Sequence, residues 1–322
     1  MKFSKSSMFI DINSLAQGIH RKDRRSIARA ITLAESTKYE DQVLCAQLLQ
    51  KLNKQEARRI GVTGSPGAGK SSFINTLGLH LLHKTSLGIL VIDPSSPLYG
   101  GSILGDKTRM GELEQHNNVF IRPSPNKQGS ISSGLRASIR ILEAAGFETI
   151  IIETVGAGQS EYEIATLIDL LLLIQIPNSG DELQGMKKGL LEIADIIIIN
   201  KADGSLEHAA KTSLLEHRSS LSIHKDPPPL FLASSQNQTG FSEIIQCIDS
   251  EITRKKKNGQ FTKKRQEQNL QCFERESLQL LKSSLQKSEH SSIYECKEKI
   301  TQHQEDPSYL AHQWVKNILK NH

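Results

Sequence analysis

The segment RIGVTGSPGAGKSSFINTLGLHLL, residues 59–82, decides the fold. It opens on a short apolar run, passes through a glycine-rich turn and continues as an apolar helical stretch, FINTLGLHLL. Gly64 to Ser71, GSPGAGKS, match the spacing G-x-x-x-x-G-K-[ST] between a predicted strand and a predicted helix. Gly64, Gly67 and Gly69 let the backbone take conformations that a Cβ hinders. Backbone N–H groups along the turn, with Ala68 and Ser72 among the lining residues, then face a phosphate chain beside a helix N-terminus. Lys70 is placed to reach the β- and γ-phosphates, and the hydroxyl of Ser71 to coordinate magnesium.

Downstream, short apolar runs alternate with helical stretches: GILVID (88–93), NVFIRP (118–123), TIIIETVG (149–156), DLLLLIQIP (169–177), ADIIIIN (194–200) and PLFLAS (229–234). Several are apolar at consecutive positions, the mark of strands covered on both faces. The sequence therefore predicts an α/β P-loop nucleotide-binding fold, a mostly parallel sheet flanked by helices. Ligands of such sheets sit beyond the carboxyl ends of the strands. Residues 10–57 read as helical, with Asp23 as an N-cap ahead of Ile27, Ile31 and Leu33. The chain becomes polar and helical again after residue 250, opening on the basic run RKKKNGQFTKKR (254–265). That run reads as a solvated helix face or linker in preference to a nucleic-acid contact. The predicted organisation is a helical extension over 1–57, a nucleotide-hydrolysing domain over 58–250 and a helical extension over 251–322.

Asn200-Lys201-Ala202-Asp203 closes the run ADIIII and has the form N-K-x-D, which reads guanine at a strand end. A carboxylate accepts from guanine N1–H and the exocyclic N2 amine together. Adenine offers neither, and an unmet buried polar group costs about 1–3 kcal/mol. Asn200 is expected to hold the N7 side and the stem of Lys201 to cover the base plane. Ala233, Ser234 and Ser235, after PLFL, take the place of a final base-contacting loop. Three acids follow strands or lie in loops that could face the γ-phosphate: Asp93, Asp106 and Glu153. Magnesium bound to phosphate needs only one or two carboxylates directly, so not all three bind it at once. The N–H of Gly156 is placed to sense the γ-phosphate, which makes the following loop a switch.

Composition agrees with this class. The chain has 322 residues, 37% hydrophobic and 23% charged, with a net charge of +5. Cys45, Cys247, Cys272 and Cys296 form no C-x-x-C pair and read as reduced thiols. The start shows no signal-peptide pattern and the apolar runs are too short to span a bilayer. A soluble cytoplasmic protein without nucleic-acid or membrane partners is expected.

DPSS (93–96), GGSILGDKTRM (100–110), FIRPSP (120–125), AAGF (144–147), ETVGAGQSE (153–161), GDELQGMKKG (180–189) and NKADG (200–204) together resemble the MeaB/ArgK group of G proteins. That group includes the protein affected in one form of methylmalonic aciduria. DRRSIARAITLAES (23–36) is similar to its N-terminal helix. The resemblance implies a homodimer that binds GTP or GDP with magnesium and hydrolyses GTP. It implies a cobalamin-dependent acyl-CoA mutase as partner, most often methylmalonyl-CoA mutase, whose adenosylcobalamin loading is gated by hydrolysis and which the G protein protects or rescues. Methylmalonyl-, isobutyryl- and ethylmalonyl-CoA mutases all fit. GDELQGMKKG matches a third mobile loop of the group, where Lys187 or Lys188 is expected to neutralise phosphate charge when the partner docks. The C-terminal arm, which carries dimer contacts in the group, matches poorly. Rival readings are a metallochaperone GTPase, for which the 11 histidines form no tract, a P-loop kinase linked to amino-acid transport, and a scaffold with a degenerate site.

Overall fold

The computed structural model describes residues 10–93, 110–125, 131–154, 159–177, 188–222, 226–287, 298–299, 301 and 306–320. Three N-terminal helices, α1 (Ile12–His20), α2 (Arg24–Ala34) and α3 (Tyr39–Lys51), precede the sheet. Asp11 and Asp23 cap the first two, each side chain accepting from a backbone N–H two or three residues on. The chain then alternates: β1 (Arg58–Gly64), α4 (Lys70–Leu81), β2 (Leu87–Asp93), the single turn α5 (Gly111–Glu114), β3 (Val119–Pro125), α6 (Ile131–Ala144), β4 (Thr149–Glu153), α7 (Gln159–Ala165), β5 (Leu170–Gln175), α8 (Lys188–Ile193), β6 (Ile196–Ile199), α9 (Glu207–Leu221), β7 (Leu230–Leu232) and α10 (Phe241–Lys257). Helices α11 (Gln260–Lys287) and α12 (Pro307–Lys320) follow.

The seven strands lie in the order β3-β2-β4-β1-β5-β6-β7, every ladder parallel. Consecutive apolar residues in β4, β5 and β6 are buried on both faces, as a covered parallel sheet requires. One face packs Ile60, Val62, Ile89, Leu172 and Ile198 against α4 and α10. On the other, Leu90, Ile150, Ile152 and Leu171 meet α6 and α7, and the same core runs on into Leu15, Ile19, Ile27, Ile31 and Leu48 of the N-terminal helices. Those helices are also tied to the edge strand. Arg24 donates to the Val119 carbonyl at 2.7 Å, and Glu35 accepts from Arg122 at 2.6 Å and Ser124 at 2.7 Å.

The described residues fall into two compact units, one within Met1–Gln268 and one within Asn269–His322. In the second, Leu270, Phe273, Leu278 and Leu281 of α11 are exposed.

The basic run corrects the sequence reading in part. Arg254, Lys256, Lys257 and Lys263 are exposed. Lys255, Lys264 and Arg265 instead enter a network of charges at the amino ends of the strands. Arg265 donates to Asp169, at the threshold of β5, at 2.6 and 2.7 Å, to Glu143 at 3.3 Å and to the Ala57 carbonyl at 2.9 Å. Arg59 holds Glu143 at 2.9 and 3.0 Å while its own N–H donates to Asp169 at 2.7 Å. Lys255 pairs with Asp195, whose other oxygen accepts the Leu171 N–H at 2.8 Å. Buried charges persist only when paired and hydrogen-bonded in this way. Burial pulls the guanidinium of Arg59 below its ordinary pKa, and Glu143 opposes that shift.

Candidate nucleotide site

β1 delivers the chain into the glycine turn at the carboxyl end of the sheet. Gly64 has φ 152°, and a Cβ there would stand 2.1 Å from the Ile174 carbonyl of β5. Gly69 has φ 81°, and its Cβ would stand 2.8 Å from Asn200 Nδ2. Neither position takes a side chain without displacing its neighbour. Gly69 is also the N-cap of α4 and has no side chain with which to cap it. The first N–H groups of α4 are thereby left to an anion, aided by the helix dipole. Gly67 is exposed, with φ 79°, Ala68 is fully buried and Ser72 is exposed on the first turn of α4. The buried ammonium of Lys70 folds over its own loop, donating to the carbonyls of Gly64 at 3.0 Å and Ser65 at 3.2 Å.

Ser71, on the first turn of α4, is buried and donates to Glu153 Oε1 at 2.8 Å. The pair unites a hydroxyl and a carboxylate, hard oxygen donors of the kind magnesium selects. Asp93 is the last residue of β2. Val91 of β2 pairs with Glu153 in the ladder, so the chain at Asp93 reaches the same end of the sheet as Glu153. The Asp93 side chain, Asp106 and Gly156 lie outside the described residues, as do Lys187 and the side chain of Lys188, the first residue of α8. Among the described residues no three or more His, Cys, Asp or Glu side chains gather as a metal site. A magnesium ion carried largely by phosphate oxygens and water needs no such cluster.

The NKAD segment is built on the end of β6. The buried Asn200 donates from Nδ2 to the Ala68 carbonyl at 2.9 Å and accepts from Ser235 Oγ at 3.2 Å. One amide thus joins the glycine turn to the loops after β6 and β7. Lys201 takes φ 59°, and the Ala202 N–H donates to the Ala233 carbonyl at 3.0 Å. The half-buried Asp203 accepts from the hydroxyl of the buried Ser234, which itself accepts the Asn237 N–H at 2.9 Å. The structure therefore brings Gly64, Gly67, Ala68, Gly69, Lys70, Ser71 and Glu153 to one end of the sheet with Asn200, Asp203 and Ser234.

Ser235, in the loop after β7, bonds Asn200, and its carbonyl accepts from Thr76 on α4 at 3.4 Å. Two residues here escaped the sequence reading. Thr154 donates to Thr63 at 2.9 Å, joining β4 to β1. Gln175 ends β5 almost wholly buried. Its only signal is a glutamine closing the greasy run LLLLI.

Comparison with known proteins agrees with this geometry. The family model described as methylmalonyl Co-A mutase-associated GTPase MeaB matches residues 27–290. The GTPase ArgK of Escherichia coli is 37% identical over 279 residues, 82% of this chain and 84% of that protein. The mouse protein named methylmalonic aciduria type A homolog, mitochondrial, is 37% identical over 284 residues, 82% of this chain and 68% of that protein. A crystal structure of a LAO/AO transport system kinase superposes with a TM-score of 0.72 at 28% identity, covering 97% of this chain and 100% of that one. No helix among the described residues is long and apolar enough to cross a membrane.

Proposed function

Because this chain belongs to the MeaB family of methylmalonyl-CoA mutase-associated GTPases, we propose that it binds GTP and GDP with magnesium, hydrolyses GTP, and serves as a G-protein chaperone of a cobalamin-dependent acyl-CoA mutase. The observation that carries the guanine assignment is Asp203. Its carboxylate is held by Ser234 on a loop that Asn200 joins to Ala68 of the glycine turn. A carboxylate so fixed accepts from guanine N1–H and N2 amine and is left unmet by adenine.

The residues divide the work as follows. Lys70 leaves its own loop carbonyls for the β- and γ-phosphates. Backbone N–H groups from Gly67 to Ser72 take phosphate oxygens. Ser71 and Glu153, with Asp93 or Asp106, hold magnesium, which supplies charge neutralisation across the phosphates when bound. Gly156 senses the γ-phosphate, and Lys201 covers the base. Catalysis of this kind is positioning and electrostatics, and a cationic finger that arrives on docking speeds it by about 10³–10⁵. Lys188 or Lys187 supplies that finger when the mutase binds, so that hydrolysis gates adenosylcobalamin loading. The extension over 1–57 braces the nucleotide-hydrolysing domain over 58–250, and the arm over 251–322 pairs two copies. The exposed Leu270, Phe273, Leu278 and Leu281 support that pairing.

The test compares GTP turnover with and without purified methylmalonyl-, isobutyryl- or ethylmalonyl-CoA mutase, in wild type, Lys188→Ala and Lys187→Ala. A slow basal rate, strong stimulation of the wild type and loss of stimulation in one lysine variant are expected. An unchanged wild-type rate with the mutases of all three substrate classes sinks the chaperone reading. Equal stimulation of both variants sinks only the choice of finger.

A further inference from the structure

Resting on the nucleotide reading above, we propose that Gln175 is a positioning residue for the phosphate loop. Its carboxamide hydrogen-bonds the loop root at Ser65 once Lys70 has turned to phosphate, and so favours the loaded loop. Gln175 is 2% exposed, and neither Oε1 nor Nε2 has a hydrogen-bond partner among the described residues. Its backbone, by contrast, is engaged in the sheet. It pairs with Ile199 in the ladder, and its carbonyl accepts the Asn200 N–H at 2.8 Å. A buried amide that bonds nothing costs free energy that a leucine of similar size would not. The residue therefore carries a cost in this arrangement that another arrangement can recover.

Register identifies that arrangement. Gly64, the last residue of β1, pairs with Ile174 of β5, so Ser65, the first residue of the glycine turn, and Gln175 both follow directly on that paired position. Ser65 Oγ is likewise buried without a partner. The carbonyls of Gly64 and Ser65 are the two that Lys70 Nζ now occupies. Reaching a phosphate draws the ammonium off both. The Gln175 amide is the neutral donor beside the root of the loop that can replace it, with Ser65 Oγ free to complete the exchange. The glutamine thereby stabilises the loop when the lysine is on phosphate and contributes nothing when the lysine lies back.

The experiment uses the full-length chain, with wild type, Gln175→Leu and Gln175→Glu compared. For Gln175→Leu the melting temperature without nucleotide is expected to equal or exceed that of wild type. GDP and GTP affinity are expected to fall about tenfold, the worth of one hydrogen bond made only in the loaded state. KM should rise with kcat at saturating GTP little changed. A Gln175→Glu carboxylate cannot donate, so its affinity should recover as pH falls and the carboxyl protonates, a dependence absent from wild type. Wild-type affinity in Gln175→Leu overturns the proposal. So does a nucleotide-free Gln175→Leu protein that melts far lower or fails to fold, because the side chain is then needed for packing alone. A Gln175→Glu affinity that is flat with pH removes the donor role. A wild type that binds no guanine nucleotide sinks the functional reading instead.

Discussion

Arg265→Ala is expected to destabilise the protein by about 2–4 kcal/mol while leaving nucleotide affinity unchanged. The guanidinium lies among Asp169, Glu143 and the Ala57 carbonyl at 2.6 to 3.3 Å, with its side chain only 13% exposed. Breaking a buried pair by removing one partner costs about 3–5 kcal/mol, because the other charge is stranded. Two facts place Arg265 toward the lower part of that range. Asp169 keeps the Arg59 N–H at 2.7 Å, and Glu143 keeps Arg59 and Arg140 at 2.9 to 3.0 Å. The control is Arg254→Ala, whose pair with Glu251 lies at the surface and is worth about 1 kcal/mol or less. Urea unfolding read by circular dichroism gives both differences, provided the slopes agree. Nucleotide affinity should stay within about twofold, a shift of under half a kcal/mol, because the network lies at the amino ends of the strands and the glycine turn at the carboxyl ends. A loss below about 1 kcal/mol for Arg265→Ala would refute the view that these buried charge pairs stabilise the fold. A matching fall in nucleotide affinity would refute the separation of the two ends.

Lys70→Ala is expected to abolish hydrolysis, and Ser71→Ala to raise the magnesium concentration needed for half-maximal turnover. Phosphate release measured across a magnesium series checks both, and wild-type turnover in Lys70→Ala would remove the P-loop assignment. Burial is the main influence on Lys264, and it holds the ammonium below its ordinary pKa of 10.5. A base whose pKa is depressed by folding binds fewer protons folded than unfolded between the two values. Its cost to stability is therefore fully present at neutral pH and is relieved as pH rises toward 10.5. Lys264→Met should accordingly show a smaller gain, or a larger loss, than wild type between pH 8 and about 10 in urea unfolding. Parallel pH profiles for the two proteins would remove this assignment.

The architecture was legible because its signals are local. Seven apolar runs, most of them closed by Gly, Asp, Asn or Ser, announce covered parallel strands, and all seven form the sheet. Asp23 declares the start of α2 three residues ahead of the Ser26 N–H it accepts. GSPGAGKS and NKAD are each contiguous, and the fold needs only to bring their strands to one end of the sheet. What the sequence concealed depends on partners far apart in the chain. Arg265 meets Asp169 at a separation of 96 residues. A run such as RKKKNGQFTKKR carries no mark of which cations will find a buried acid. Thr63 and Thr154 are 91 apart, and a threonine in a strand is unremarkable until its neighbour is known. Gln175 is the instructive case. A polar residue ending an apolar run reads as the edge of a strand, whereas its burial depends on the strands to either side.

Guanine selection by Asp203 is the claim on which the rest depends, and calorimetry with magnesium tests it directly. Wild type should bind GDP and GTP at least about 10- to 100-fold more tightly than ATP, the range set by one or two unmet buried hydrogen bonds of about 1–3 kcal/mol. Asp203→Asn should lose guanine affinity and gain xanthine nucleotides, whose C2 oxygen accepts where guanine donates. Comparable affinity of the wild type for ATP and GTP, or a guanine preference that survives Asp203→Asn unchanged, would contradict the account.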